Sequence, residues 1–128
     1  MPKILNKKLH KVNGAKDVGR GTIYGNKFSH LTYGSAPIQG LATIEDAVRA
    51  HELWLLLSWY TDGFTENSRE LEQITGKTWS EVVRLCGYAP KISEVYKLRG
   101  QDLVCWCVDE NGNGPCHART LMKFANKE

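Results

Sequence analysis

The sequence has no long hydrophobic run. Its longest uninterrupted apolar stretch is Leu53-Trp54-Leu55-Leu56-Leu57, whereas a helix needs about 20 apolar residues to span a bilayer. That excludes a helical membrane span, and the N-terminus carries no apolar stretch of signal-peptide length. A cytoplasmic location with no membrane partner is expected. Acidic charge is scarce at one end. Residues 1–27 hold Lys3, Lys7, Lys8, Lys11, Lys16, Arg20 and Lys27 against Asp17 alone, a net of +6, so the remaining residues sum to −3 within a chain of formal charge +3. A Walker loop is also lacking: Val18 to Asn26 contains Gly19, Gly21 and Gly25 but no Gly-Lys-Ser/Thr ending. There are four cysteines in 128 residues, and a chain of this size needs no disulfide staples for its core. In a reducing compartment, thiols that cluster point to metal binding or reactivity instead.

Three of the four cysteines do cluster. Cys105 and Cys107 flank Trp106, and Pro115-Cys116-His117 follows a Gly/Asn-rich stretch, so three thiols and an imidazole fall within thirteen residues. Cys86 stands apart in a predicted helix and reads as a small buried residue.

At 128 residues and 41% hydrophobic content, the chain has the size of one domain with its own core. A single domain over residues 1–128 is expected, with residues 1–12 as a partly flexible basic segment. Lys8 to Val12 predicts a first strand and Asn13 to Asp17 a turn. Thr43, with Asp46 three residues on, predicts a helix start, and Ile44, Ala47, Val48, His51, Trp54 and Leu55 recur at helical spacing. His51 reads as a core histidine, and Trp54, Trp59 and Tyr60 read as core or boundary aromatics. Asn67 with Glu70, and Thr78 with Glu81, predict two further starts, with stops at Gly76 and Gly87. Ser93 to Leu98 predicts a short helix, Asp102 to Cys107 a buried strand, and Cys116 to Ala125 a last helix. The expected class is therefore α/β: a small open sheet with several helices, its site at the carboxyl end of the Cys105–Cys107 strand.

The cluster admits three chemical readings. Cys105, Cys107, Cys116 and His117 complete a four-ligand zinc shell, although Cys-x-Cys with an adjacent Cys-His departs from the usual finger spacings and needs a bend at Cys107. Alternatively Cys116 is a nucleophile at a helix N-terminus, where N–H groups stabilise thiolate, with His117 carrying protons and Cys105 or Cys107 as a second, resolving thiol. In the third, the cysteines simply pack beside Trp106. The Gly-Arg-Gly stretch permits close backbone approach to a ligand, and Arg20 offers a planar donor fork for phosphate or carboxylate. An ordinary turn accounts for the same glycines.

Leu98-Arg99-Gly100-Gln101-Asp102-Leu103-Val104-Cys105-Trp106-Cys107 followed by Pro115-Cys116-His117 resembles the C-terminal signature of the phage and bacterial family called domain of unknown function 4326. Asn13, Gly19-Arg20 and Gly25-Asn26-Lys27-Phe28 resemble that family's N-terminal signature. Lys27 stands where the family has Pro, the Val108–Pro115 loop is longer than its usual link, and Arg119 replaces a frequent acidic residue. A fainter likeness to a second uncharacterised family touches Cys105, Cys116 and His117 but not Cys107. The two signatures suggest two walls of one pocket, with Asn13, Arg20, Gly21, Gly25 and Asn26 holding a ligand and Cys116, His117 and Cys105 acting on it. The family's phage setting implies nucleotide or nucleic-acid metabolism in a host cytoplasm. The expected ligand is a phosphate-bearing small molecule or nucleic acid, and the expected chemistry is that of a thiol-dependent transferase or hydrolase. The alternative is a non-catalytic accessory protein, stabilised by zinc, that binds nucleic acid or a host protein.

Overall fold

The computed structural model describes residues 4–6, 16–18, 22–32, 34, 36–105 and 116–126. In chain order the elements are β1 (Ile4–Asn6), β2 (Lys16–Asp17), α1 (Ile44–Trp59), α2 (Phe64–Thr75), α3 (Trp79–Cys86), α4 (Ile92–Tyr96), β3 (Leu103–Cys105) and α5 (His117–Ala125). They fall into two compact units, one of residues 1–25 and 90–128, the other of residues 26–89.

The expected α/β open sheet is overturned. The helices run to 16, 12, 8, 5 and 9 residues, against 3, 2 and 3 for the strands. Paired backbone of that length cannot form a layer for helices to cover, and the described chain is mainly helical. What remains is a short parallel ladder in the order β1-β3-β2, with Ile4 and Lys16 both in register with Leu103. The turn expected at Asn13–Asp17 gives way at Lys16–Asp17 to β2, while the strand expected at Lys8–Val12 lies outside the described residues, as do Trp106 and Cys107 beyond the end of β3.

In the unit that holds the ladder, Leu103, Val18 and Ile4 are buried together with Val95, Leu98, Leu121 and Ala125. The helix α5 begins at Cys116, whose backbone is extended (φ −156°, ψ 138°) and whose sulfur accepts from the Ala118 N–H. Its other end is tied down through Asn126, whose side-chain Oδ1 accepts from the Gly100 N–H at 3.1 Å. Tyr24 anchors the turn Thr22–Gly25 by donating its hydroxyl to the Glu94 carbonyl at 2.9 Å. Burial holds that phenol above its ordinary range, and the Glu94 charge adds to this while Lys97 opposes it.

The other unit is a helical hairpin with a third helix. Thr43 caps α1 by accepting from the Asp46 N–H, and Glu45 and Asp46 in the first turn complement the helix dipole. Seven residues of α1 are buried, including Ala47, His51, Leu53 and Trp54, because the apolar pentapeptide that is too short for a membrane is the right length for a core helix. His51 is 1% exposed with its ring centroid 5.9 Å from that of Trp54, a core position as expected. Arg49 on α1 grips Glu70 on α2 with two bonds of 2.6 and 2.9 Å and Glu52 with one of 2.6 Å. That clamp holds the Glu70 carboxyl below its ordinary range. The capping box Thr78/Glu81 opens α3 as expected, and Gly76 and Gly87 close α2 and α3. The start of α2 falls earlier than the expected Asn67: Gly63 caps it in the left-handed region with no side-chain bond, so no capping side chain marks the spot.

Candidate active site

The start of α5 holds Cys116 and His117, the candidate catalytic residues whose side chains the structure describes. Cys116 is fully buried and His117 is 5% exposed. The His117 Nε2 lies 2.6 Å from the Val18 carbonyl oxygen. A carbonyl only accepts, so Nε2 carries the proton and, in the neutral ring, Nδ1 presents a lone pair. That nitrogen is 3.9 Å from the Cys116 sulfur, and the same sulfur takes the Ala118 N–H at 3.4 Å. The site therefore has three parts: a sulfur, a proton acceptor facing it, and a backbone carbonyl that fixes the acceptor's tautomer. With the sulfur reduced, such an arrangement is one that activated nucleophiles use.

Cys116 is held in a disulfide. Cys86, by contrast, is a free, half-buried thiol. Burial pushes Cys86 up to about 11, with Lys27 pulling weakly the other way, so at neutral pH it is an inert packing residue.

The His117 bond reaches 99 positions back along the chain, to the residue that directly precedes Gly19-Arg20-Gly21. It thereby joins the start of the glycine/arginine stretch to the cysteine/histidine cluster. The Val18 carbonyl was not found by sequence reasoning, because a main-chain group has no letter of its own; the Ala118 N–H is one of the helix-start N–H groups expected at Cys116. The signal within reach was the Pro-Cys-His helix start, which places an N–H beside the sulfur of a capping cysteine.

Of the other expected site residues, Asn13, Arg20, Gly21 and Cys107 lie outside the described residues, and Cys105 is described only as the last backbone position of β3. Gly25 is buried and closes a turn by donating its N–H to the Thr22 carbonyl at 3.1 Å. Asn26 belongs to the helical unit. Its Oδ1 accepts from the Phe28 N–H at 2.9 Å and its Nδ2 donates to the Ala47 carbonyl of α1 at 3.2 Å, all buried. The oxygen shapes the loop at Phe28, and the Nδ2 end ties that loop to α1. Asn26→Ala is expected to destabilise the protein by about 1–3 kcal/mol, since it orphans a buried N–H. Thermal unfolding is the check, and a variant as stable as the parent would return Asn26 to a ligand-orienting role.

Among the described residues, no group of three His, Cys, Asp or Glu side chains is placed to hold a metal ion. A disulfide sulfur, moreover, is not the thiolate that zinc takes. Also among the described residues, no helix is long and apolar enough to cross a membrane. An open depression on α2, lined by Thr65, Ser68, Arg69, Glu72 and Gln73, lies along one exposed helix face and contains no nucleophile–base pair.

A family model described as "Domain of unknown function (DUF4326)" matches residues 4–127. The chain belongs to the DUF4326 family. The match takes in both units and both signatures, so the Val18–His117 bond lies within the DUF4326 domain and links its N-terminal and C-terminal parts. Comparison with curated proteins and with solved structures returned no match.

Proposed function

We propose that this DUF4326 protein is a thiol-dependent enzyme, a transferase or hydrolase acting on a phosphate-bearing, nucleotide-like ligand, in which Cys116 is the nucleophile and His117 its proton carrier. The observation that carries this reading is the 2.6 Å bond from His117 Nε2 to the Val18 carbonyl, because it leaves Nδ1 as the atom facing sulfur. Burial alone would silence Cys116 as it silences Cys86. The difference between the two is the N–H at 3.4 Å, which suits a thiolate, and the imidazole at 3.9 Å, whose Nδ1 lone pair can take the thiol's proton. The phosphate half of the reading rests on the net +6 of residues 1–27 and on Arg20, two positions after Val18 in the sequence.

The test is alkylation of the fully reduced protein with iodoacetamide at pH 7, mapped by mass spectrometry. Cys116 is expected to react faster in the folded protein than in the same chain unfolded in urea, and pyrophosphate is expected to slow it. A folded Cys116 slower than its unfolded self would sink the nucleophile, and indifference to pyrophosphate would remove the phosphate ligand.

One feature favours a second reading. Metal-bound imidazoles commonly donate their other N–H to a backbone carbonyl, and 3.9 Å between Sγ and Nδ1 is near the roughly 3.6 Å edge of a zinc tetrahedron built on Zn–S and Zn–N bonds of usual length. That reading makes the reduced chain a zinc-stabilised accessory protein whose basic segment meets nucleic acid. A zinc assay of the same reduced sample separates the two: about one zinc per chain with Cys116 protected supports the accessory protein, and no zinc with a reactive Cys116 supports the enzyme.

A further inference from the structure

We propose that the aromatic cluster of Phe64, Trp79 and Tyr88 is a docking surface for a cationic peptide, with an arginine side chain of a partner protein seated against Trp79 and Tyr88. The cluster lies wholly within the unit of residues 26–89, so the proposal stands apart from the thiol reading of Cys116.

The three rings come from three places in the chain. Phe64 opens α2, Trp79 opens α3, and Tyr88 follows the glycine that closes α3. The Phe64 and Trp79 centroids are 6.4 Å apart with the planes at 86°, and those of Trp79 and Tyr88 are 6.3 Å apart with the planes at 59°. Whereas the Phe28–Trp54 pair is buried in the core, this cluster is open: Tyr88 is 69% exposed, Phe64 40%, and Trp79 is half-buried. Single apolar side chains are ordinary on a surface, but three aromatic rings in contact form a patch, and Tyr, Trp and Phe are the residues that interface centres favour.

The backbone presents the most exposed ring from a fixed position. The Trp54 indole N–H donates to the Gly87 carbonyl at 2.9 Å, and the Ala89 N–H donates to the Ser58 hydroxyl at 3.1 Å. The main chain is therefore pinned on either side of Tyr88. Trp79 is set by the Thr78/Glu81 capping box immediately before it. A surface ordered in advance loses less freedom when a partner binds.

Charge selects the occupant. Residues 26–89 hold eight carboxylates against five Lys and Arg side chains, a net of −3, which opposes a phosphate backbone and suits a cation. Aromatic faces attract cations that lie within about 6 Å of the ring centroid. With the Trp79 and Tyr88 centroids 6.3 Å apart, one guanidinium can be within that reach of both. Arginine fits better than lysine, because its planar fork stacks on a ring and still pairs with a carboxylate. The first turns of α2 and α3, which carry Phe64 and Trp79, also supply Glu66 and Glu81.

The test is heteronuclear NMR of the isotope-labelled full chain, titrated with an Arg-Gly-Gly repeat peptide and with the same peptide carrying citrulline, which keeps the shape and loses the charge. Saturable shifts at the Trp79 indole N–H and the Tyr88 amide are expected with the arginine peptide alone. Tyr88→Ala is expected to weaken binding by about 5-fold, the scale of one exposed cation–π contact, and to leave thermal unfolding unchanged because the ring is mostly in solvent. Equal binding of the citrulline peptide, shifts that avoid Trp79 and Tyr88, or no saturation at millimolar peptide overturns the proposal. Shifts at the same rings that grow with protein concentration alone would assign the face to a second copy of this chain, and shifts there with oligothymidylate would assign it to single-stranded nucleic acid. Either result displaces the arginine peptide.

Discussion

Replacing His117 with alanine is expected to lower the alkylation rate of reduced Cys116 by about 30-fold at pH 7. The magnitude follows from thiolate population. An ordinary thiol near 8.5 is only about 3% ionised at pH 7, so a cysteine held fully as thiolate by its neighbours loses a factor of about 30 when that support goes. The imidazole provides the support because its Nε2 proton is committed to the Val18 carbonyl at 2.6 Å. A freely rotating ring would turn either nitrogen to the sulfur. His117→Ala also deprives that buried carbonyl of its donor, at about 1–3 kcal/mol, so reactivity and stability would fall together and the result alone would be ambiguous. His117→Gln separates them: its amide N–H can still reach the carbonyl, but it offers no base. The expected pattern is near-parental thermal stability with alkylation as slow as in His117→Ala. Parental alkylation in both variants would show that His117 merely packs, and would shift the support of the sulfur to groups such as the Ala118 N–H.

The same bond shows why the site was only half legible. Cys116 and His117 are adjacent letters ahead of an apolar-periodic run, so a capping cysteine on a helix, with a histidine beside it, follows from spacing alone. Val18 contributes only a carbonyl, 99 positions away, and no pattern in the side chains marks it. Asn26 is ambiguous for the opposite reason. Beside glycines it reads as a ligand contact, yet its carboxamide spans Phe28 and Ala47 inside the helical unit. A polar side chain with two acceptable partners in its own fold is indistinguishable, as a letter, from one that awaits a ligand.

Helix ends follow a similar rule. Where a side chain does the capping, as with Thr43 and with Thr78/Glu81, the sequence states the boundary. Where a left-handed glycine does it alone, as at Gly63, a plausible Asn three residues inside the helix displaces the predicted start. The fold class failed on length. Asp102 to Cys107 has a strand's composition, but its described pairing stops at Cys105 and its neighbours offer two or three residues each. A mostly apolar run says that a segment is buried, not how many partners it will find. Burial falls chiefly to the helices here, which is why a pattern of two predicted strands among five predicted helices produced a mainly helical protein.

Trp54→Ala is expected to cost about 3–5 kcal/mol, the usual range for deleting a fully buried large aromatic. That is a large share of the 5–15 kcal/mol typical of a folded domain. Trp54 is 1% exposed on α1, its ring meets Phe28 edge-on at a centroid distance of 6.3 Å, and its indole N–H donates to the Gly87 carbonyl at 2.9 Å. That carbonyl belongs to the glycine closing α3, so one side chain joins the core helix, the loop around Phe28 and the end of the third helix. Trp54→Phe keeps most of the apolar contact and removes the donor, and should cost about 1–3 kcal/mol for the carbonyl left short of a partner. Urea unfolding followed by far-ultraviolet circular dichroism measures both. The gap between the two variants reports the cavity, and the gap between Trp54→Phe and the parent reports the tie to Gly87. Should Trp54→Ala cost under about 1 kcal/mol, α1 could not be the organising helix of its unit, and the burial that decides against an open sheet would have to be assigned elsewhere.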